Sequence, residues 1–324
     1  MSVFIIRRLM HSIAVLFVTA FVVFLGVYAI GDPIEMLISP DASPAERAQV
    51  IASLGLDRPL WQQFMTFIWN AVHGDLGRSF VFNRPTISLI LERLPATLEL
   101  TLTALVIALV IGIPLGLISG LKPNSATDEA IMTGSIFGFS LPSFWQGMML
   151  IMIFSIWLGW LPSTGRGELG SFLGIHSSFF TLDGLTHLIL PAINLSLFKL
   201  SLVIRLTRTG VRETMPLDFV KFARAKGISE RRIVFVHVLK NILIPLITVI
   251  GMELGSMLAF AVVTETIFAW PGIGKLLIDS IMRLDRPVVV AYLLVIVSLF
   301  ILINFVVDIL YSLIDPRVRL GEQS

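Results

Sequence analysis

The chain has 324 residues, 56% of them hydrophobic and 14% charged, with a formal net charge of +2 and no cysteine. A water-soluble domain carries roughly a quarter of charged residues, so lipid is the expected solvent, and the near-neutral balance argues against a nucleic-acid binder. Without cysteine there are no disulfides, thiolate metal sites or thiol chemistry.

The first apolar stretch runs from about Leu9 to Ile30 behind Arg7 and Arg8. It is longer than a signal-peptide core and lacks a small-residue cleavage site, which predicts a retained signal-anchor helix. Beyond it, Ser43, Pro44 and Glu46 form a helix-start signature: Ser43 caps, Pro44 takes the first helical position and Glu46 bonds back. That helix is expected to end at Gly55. A second begins near Pro59, sets Leu60, Trp61, Phe64, Ile68 and Trp69 along one broad face and stops at Gly74. Its two Trp suit a membrane interface.

Further apolar spans are predicted at about 96–121, 131–158, 185–206, 242–264 and 288–314, each near the roughly 20 residues needed to cross a bilayer. With the first, that makes about six transmembrane helices in an all-α membrane protein. Pro142, followed by Ser143, Phe144 and Trp145, predicts a kink in the third. The fourth is the least apolar, because it contains Pro191, Asn194 and Lys199; such residues are tolerated where a helix faces protein or water. Gly112, Gly116 and Gly120, and likewise Gly251 and Gly255, form stripes where another helix can approach. Glu99 and Asp308 lie near span ends, where snorkelling or interfacial capping accounts for them. Lys199 and Glu253 are deeper and of opposite charge, so they are candidates to pair.

Lys and Arg placement sets the orientation. With the N-terminus inside, segments 1–8, 122–130, 205–241 and 315–324 hold 14 basic residues in 64 positions, against 9 in 116 outside. Both termini are therefore expected in the cytoplasm. Residues 1–94 read as one transmembrane helix plus an extracytoplasmic segment with short interfacial helices, and 95–320 as a five-helix core.

The largest inner segment, 205–241, reads Asp218-Phe-Val-Lys-Phe-Ala-Arg-Ala-Lys-Gly227-Ile-Ser-Glu-Arg-Arg232 in its middle. Asp218 suits a helix start and Gly227 a left-handed termination. A short helix, a glycine turn and a second helical run make a compact knob parallel to the membrane, able to seat in a groove on a soluble partner.

This loop resembles the signature loop of permease subunits of binding-protein-dependent ABC importers, with Ala223 at the second alanine of that pattern, Gly227 at its glycine and Leu239 at its leucine. Lys221, Phe222, His237 and Lys240 depart from the general pattern. Ala223 to Arg232, read as Ala-Arg-Ala-Lys-Gly-Ile-Ser-Glu-Arg-Arg, is similar to the dipeptide, oligopeptide and nickel branch. Leu54–Trp61, Gly74–Phe80, Leu141–Trp145, Trp270–Gly274 and Leu310–Arg317 extend the resemblance in family order.

The resemblance implies a type I importer permease fold in a bacterial or archaeal cytoplasmic membrane, surrounded by lipid. It further implies a second homologous permease, two ATPase subunits that hold ATP and magnesium, and an extracytoplasmic solute-binding protein. The implied ATPase-docking residues are Asp218, Ala223, Arg224, Ala225, Lys226, Gly227, Glu230 and Arg231. Ser143, Phe144, Trp145, Asn194, Lys199 and Glu253 are candidates for the translocation path, and Trp270, Pro271, Gly272 and Lys275 for contact with the binding protein. Dipeptides, oligopeptides, glutathione and nickel complexes are the implied cargoes.

The chain itself offers no nucleotide site. Gly272-Ile-Gly-Lys275 lacks the glycine and the hydroxyl residue of a phosphate loop, since Ala269 and Leu276 stand there. Gly138-Phe-Ser140 has no histidine in a deep span to act as base, and the histidines show no i, i+4 pair for a metal. The alternative is a self-contained secondary transporter or channel; such folds commonly show a duplicated half, and no matching half is found here.

Overall fold

The computed structural model describes residues 2–29, 43–53, 57–172 and 174–314. Among them, five helices are long and apolar enough to cross a membrane, or six when one bent pair counts as a span. The α-helices are α1 Ser2–Ala29, α2 Pro44–Ser53, α3 Leu60–Val72, α4 Thr86–Leu121, α5 Ala126–Ser140, α6 Ser143–Leu150, α7 Leu182–Thr214, α8 Asp218–Ala225, α9 Leu239–Ile267, α10 Ile273–Met282 and α11 Arg286–Ile314. They divide between two compact units.

The smaller unit joins the described residues up to 94 with 276–301, so these latter residues cluster apart from the rest of the 95–320 segment. The Ser43 signature forms as its residue types require. The Ser43 N–H donates to Glu46 Oε2 (2.8 Å) and the Glu46 N–H to Ser43 Oγ (3.3 Å), satisfying donors that a helix start leaves open. The expected end at Gly55 lies outside the described residues. The broad face predicted for α3 divides. Phe64 is buried edge-on among Phe17, Phe21 and Phe24 of α1, with centroids 5.3–5.6 Å apart, and Ile68 joins a core with Ala20, Val23, Val290 and Leu294. Trp61 and Trp69 stay exposed. The segment after α3 is tied down by buried Asp285, whose carboxylate accepts from Ser79 Oγ and from the N–H groups of Phe80 (3.0 Å) and Val81 (3.3 Å).

The larger unit holds residues 95–275 and the described residues from 302 onward. The glycine stripe of α4 works as a groove for α7. A Cβ on Gly112, Gly116 or Gly120 would come within 2.8 Å of Val203, 2.5 Å of Thr207 and 2.6 Å of Val211 respectively, so no larger residue allows this approach. A second contact of this kind sets Gly251 of α9 against Val307 of α11.

The span expected over 131–158 is not one kinked helix. α5 meets α6 and the π-helical stretch Ile151–Trp157 at 104°. The residue before a proline is driven out of the α region, and Leu141 is extended at φ −83°, ψ 139°; Pro142 has no N–H to continue the ladder. The buried Gln146 side chain replaces the lost bonds by donating to Gly138 O (2.5 Å) and Leu141 O (3.1 Å). The fourth span is longer than expected. α7 starts with Thr181 as cap, accepting from Gly184 N–H at 3.0 Å, and continues to Thr214, taking in the first part of the 205–241 loop. Between these spans a short antiparallel hairpin pairs β1 Gly170–Phe172 with β2 Ile175–Ser177.

Two apolar clusters sit at opposite ends of this unit's helices. One joins Ala96, Leu100, Leu188, Ala192, Met257, Ala261 and Trp270. The other joins Leu117, Val211, Val220, Ala223, Ile233, Val234, Val238 and Ile242.

Candidate functional site

The second cluster is the seat of the knob predicted from the sequence. α8 covers Asp218–Ala225, with Asp218 in its first turn and Leu217 at the cap position. Gly227 has φ +74°, a conformation costly for residues with a Cβ. Around it the Gly227 N–H donates to Arg224 O (2.9 Å) and the Ile228 N–H to Ala223 O (3.2 Å), the paired bonds of a Schellman ending. Arg224 and Glu230 brace the turn from outside at 2.6 Å, and this hydrogen bond from Arg224 holds the Glu230 carboxyl below its ordinary value.

The second helical run of the knob is not a separate element. A helical turn, Glu230–Arg232, leads through the π-helical stretch Ile233–Val238 into α9. Of the residues predicted to dock, Ala223 faces inward in the cluster, whereas Asp218, Arg224, Ala225, Lys226, Gly227, Glu230 and Arg231 are exposed. Sequence reasoning missed the apolar part of the outer surface: Phe219 and Phe222 on α8 and Phe235 beyond it are exposed, Phe222 by 61%. Their alternation with Val220 and Ala223, which are buried, was the available signal.

Behind the knob lies a charge cluster that the sequence did not disclose. Asp128 is buried and accepts from Ser119 Oγ (2.5 Å), Asn124 N–H (3.0 Å), Arg208 Nε (2.7 Å) and an Arg212 guanidinium nitrogen (2.8 Å). One carboxylate thereby joins α4, the turn after it, α5 and α7. Arg208 and Arg212 lie 80 and 84 residues away, which local patterns cannot see. The signal at hand was Ser125 three residues before Asp128, whose Oγ accepts from the Asp128 N–H at 3.2 Å.

Midway along α7 and α9, Lys199 and Glu253 form an ion pair, and Lys199 Nζ also donates to Ser256 Oγ (2.9 Å). Glu253 is the more open partner, its side chain 29% exposed against 10% for Lys199. Lys199 Nζ lies 5.0 Å from the ring centroid of Phe198, which stacks at 4.6 Å on Phe139 of α5; Arg205 lies 5.3 Å from the Phe139 centroid. Asn194 is buried further along, its Nδ2 donating to Thr264 Oγ1 (3.0 Å). Ser143, Phe144 and Trp145 are exposed at the start of α6.

At the far end of the unit, burial divides the residues read as partner contacts. Trp270 and Gly272, read as contacts for a soluble partner, are buried. Trp270 completes the first apolar cluster, and its indole N–H donates to Ala96 O (2.8 Å). Gly272 abuts the Glu265 carboxyl, which a Cβ would approach to 2.1 Å. Pro271 and Lys275 are half-buried, and Glu265 accepts from Lys275 N–H (2.9 Å) and from Thr97 Oγ1 (2.5 Å). Glu99 does not snorkel. It is buried against Arg166 at 2.8 Å, and that guanidinium lies 5.8 Å from the Trp270 ring centroid.

Comparison with known proteins places these features. The family model for the inner membrane component of binding-protein-dependent transport systems matches residues 112–320, and the model for the N-terminal part of such components matches residues 1–101. The chain is 44% identical over 330 residues to the di/tripeptide transport system permease protein DppB of Pseudomonas aeruginosa (strain UCBPP-PA14), with 98% of each chain covered. It is 39% identical over 317 residues to the glutathione transport system permease protein GsiC of Escherichia coli (strain K12), again with 98% of each covered. A solved structure of the MetNI methionine ABC transporter in an inward facing conformation shares its fold. That match has 18% identity and a TM-score of 0.54, covering 71% of this chain and 97% of the other.

Proposed function

The chain belongs to the inner membrane components of binding-protein-dependent transport systems, which are multi-pass transport subunits and not enzymes, and on that premise we propose that it forms half of an ATP-driven import path for short peptides. A homologous permease completes the path, an extracytoplasmic binding protein delivers the cargo, and two ATPase subunits, holding ATP and magnesium, dock on the Asp218–Arg232 knob. Both termini lie in the cytoplasm in this reading, as the Lys and Arg distribution supports. Peptide cargo is supported by the 44% identity to a di/tripeptide permease over 98% of each chain.

The observation that carries the docking role is the make-up of the knob. Its inner side is fixed in the apolar cluster, its outer side offers Phe219, Phe222 and basic groups, and its second arm is continuous with α9. An aromatic and cationic helix face suits an interface hot spot. Movement of a docked ATPase would reach the Lys199–Glu253 level through α9, and alternating access would follow from tilting α7 and α9. Asn194, Lys199, Glu253 and the Ser143–Trp145 segment are assigned to the path on this basis.

The test is Gly227→Val. No atom lies within 4 Å of the position where its Cβ would stand, so the substitution acts through backbone strain at φ +74° and not through crowding. Membrane insertion should be normal, while ATPase co-purification weakens and ATP-dependent dipeptide uptake in vesicles is lost. Normal co-purification and uptake would overturn the docking assignment.

A further inference from the structure

The Lys199–Glu253 pair has a composition that structural support alone does not require. The two charges sit midway along helices that lie in lipid, where either charge alone is costly. Two apolar residues of similar volume would close the α7–α9 contact at no loss, whereas removing one member of a buried pair leaves an uncompensated charge. The cluster is also asymmetric: the Glu253 side chain is partly open, the exposed Phe198 ring lies beside the ammonium, and the exposed Phe139 ring packs on Phe198 with Arg205 near it. An acid, a base and an aromatic platform therefore stand together within a span.

We propose that this cluster is a transit site for the two charged ends of a free peptide, which opens the pair by exchange: Lys199 takes the peptide carboxylate, Glu253 takes the peptide ammonium, and the Phe198–Phe139 stack carries apolar side chains. The inference rests on the peptide-import reading above and specifies what that path recognises. Separating Lys199 from Glu253 strands two charges, and only a ligand that brings one charge of each sign compensates both. A singly charged solute leaves one partner stranded, and a neutral one leaves two. Ser256, which donates to Glu253 Oε2 (2.8 Å) and accepts from Lys199 Nζ (2.9 Å), can follow either partner as they part. Opening is then tied to cargo, which keeps the path closed to small ions and water between cycles.

The test uses the complete transporter, with its second permease, ATPases and binding protein, reconstituted in vesicles. Wild type is compared with the neutral double variant Lys199→Met/Glu253→Gln and with the exchange variant Lys199→Glu/Glu253→Lys, the probe being a radiolabelled dipeptide with both ends free. Removing both charges leaves neither partner stranded, so the double variant should insert and assemble, as co-purification of both ATPases and the second permease reads. Its uptake should fall at least tenfold, because the assembled complex lacks a site that accepts the cargo. The exchange variant restores both charges and should recover a measurable part of the uptake. Wild-type uptake by the neutral double variant would overturn the transit site while leaving peptide import in place. An assembled wild-type complex that hydrolyses ATP yet accumulates no free dipeptide would overturn the peptide-import reading, and this inference with it.

Discussion

The two ends of the larger unit bury carboxyl groups for opposite purposes. At the Trp270 end, Glu265 and Glu99 are enclosed by donors from distant parts of the chain, with Thr97, the Lys275 N–H and Arg166 directed at them. At the knob end, Asp128 is enclosed as fully, but the acidic groups beyond it, Asp218 and Glu230, stand in solvent with single partners. The first end is a closed structural cap. The second is anchored inside and open outside, as the proposed docking of a partner requires. Buried, multiply bonded carboxyls make rigid joints, while singly paired exposed ones leave an interface free to re-form.

The strongest way to break this comparison is Glu265→Ala. It strands the Thr97 hydroxyl and the Lys275 N–H in a dry site, and should cost about 3 kcal/mol. Thermal unfolding followed by tryptophan fluorescence in detergent reads it directly; an unchanged midpoint would mean that the cap is not a joint. Asp128→Asn comes next, at about 2 kcal/mol, less because the Arg208 and Arg212 side chains are 22% and 32% exposed and solvent compensates part of the loss. It should also reduce transport per ATP hydrolysed, since Asp128 joins α4 and α5 to the helix that bears the knob. Equal coupling in mutant and wild type would remove it from the transmission route.

Phe222→Ser should change the unfolding midpoint little, because the side chain is largely exposed and its cation–π partner Lys226, 4.5 Å from the ring centroid, is itself exposed, yet weaken ATPase association about tenfold, as loss of an aromatic anchor does. Binding measured against the isolated ATPase decides this, and a lowered midpoint with full binding would contradict the outward assignment. The smallest effect concerns the Arg224–Glu230 brace. The Glu230 carboxyl is held below its ordinary value of 4.5 by the Arg224 hydrogen bond, so its contribution is complete above that pH and fades as pH falls through the lower folded value. ATPase association should therefore be flat from about pH 8 to pH 5 and weaken slightly only below. A change centred near neutrality would point to another group.

Much of this was legible in the residues. The span count, the Ser43 start and the Gly227 ending follow from signals that act within a few positions, and the matching hydrogen bonds are present. Pro142 announced an interruption but not its size, because the 104° turn depends on Leu141 being extended and on Gln146 satisfying the freed carbonyls. The burial of Trp270 was illegible for a related reason: it was named through a family resemblance, and only the fold shows that it fills the cluster beside Ala96 and Met257. Asp128, Glu265 and Asp285 were illegible because their partners lie 80, 168 and 206 residues away in sequence.

The glycine groove of α4 also bears on how the protein is made. Of the five single-helix spans, α7 is the least apolar, and it carries Asn194 and Lys199. Such a segment leaves the insertion machinery reluctantly when lipid is its only neighbour. α4 is synthesised first, and Gly112, Gly116 and Gly120 offer α7 a bed of protein as soon as it emerges. The order of synthesis thus supplies the helper before the helix that depends on it, and lengthening any of those three side chains would be felt first in the ribosome-bound nascent chain and only afterwards in the finished transporter.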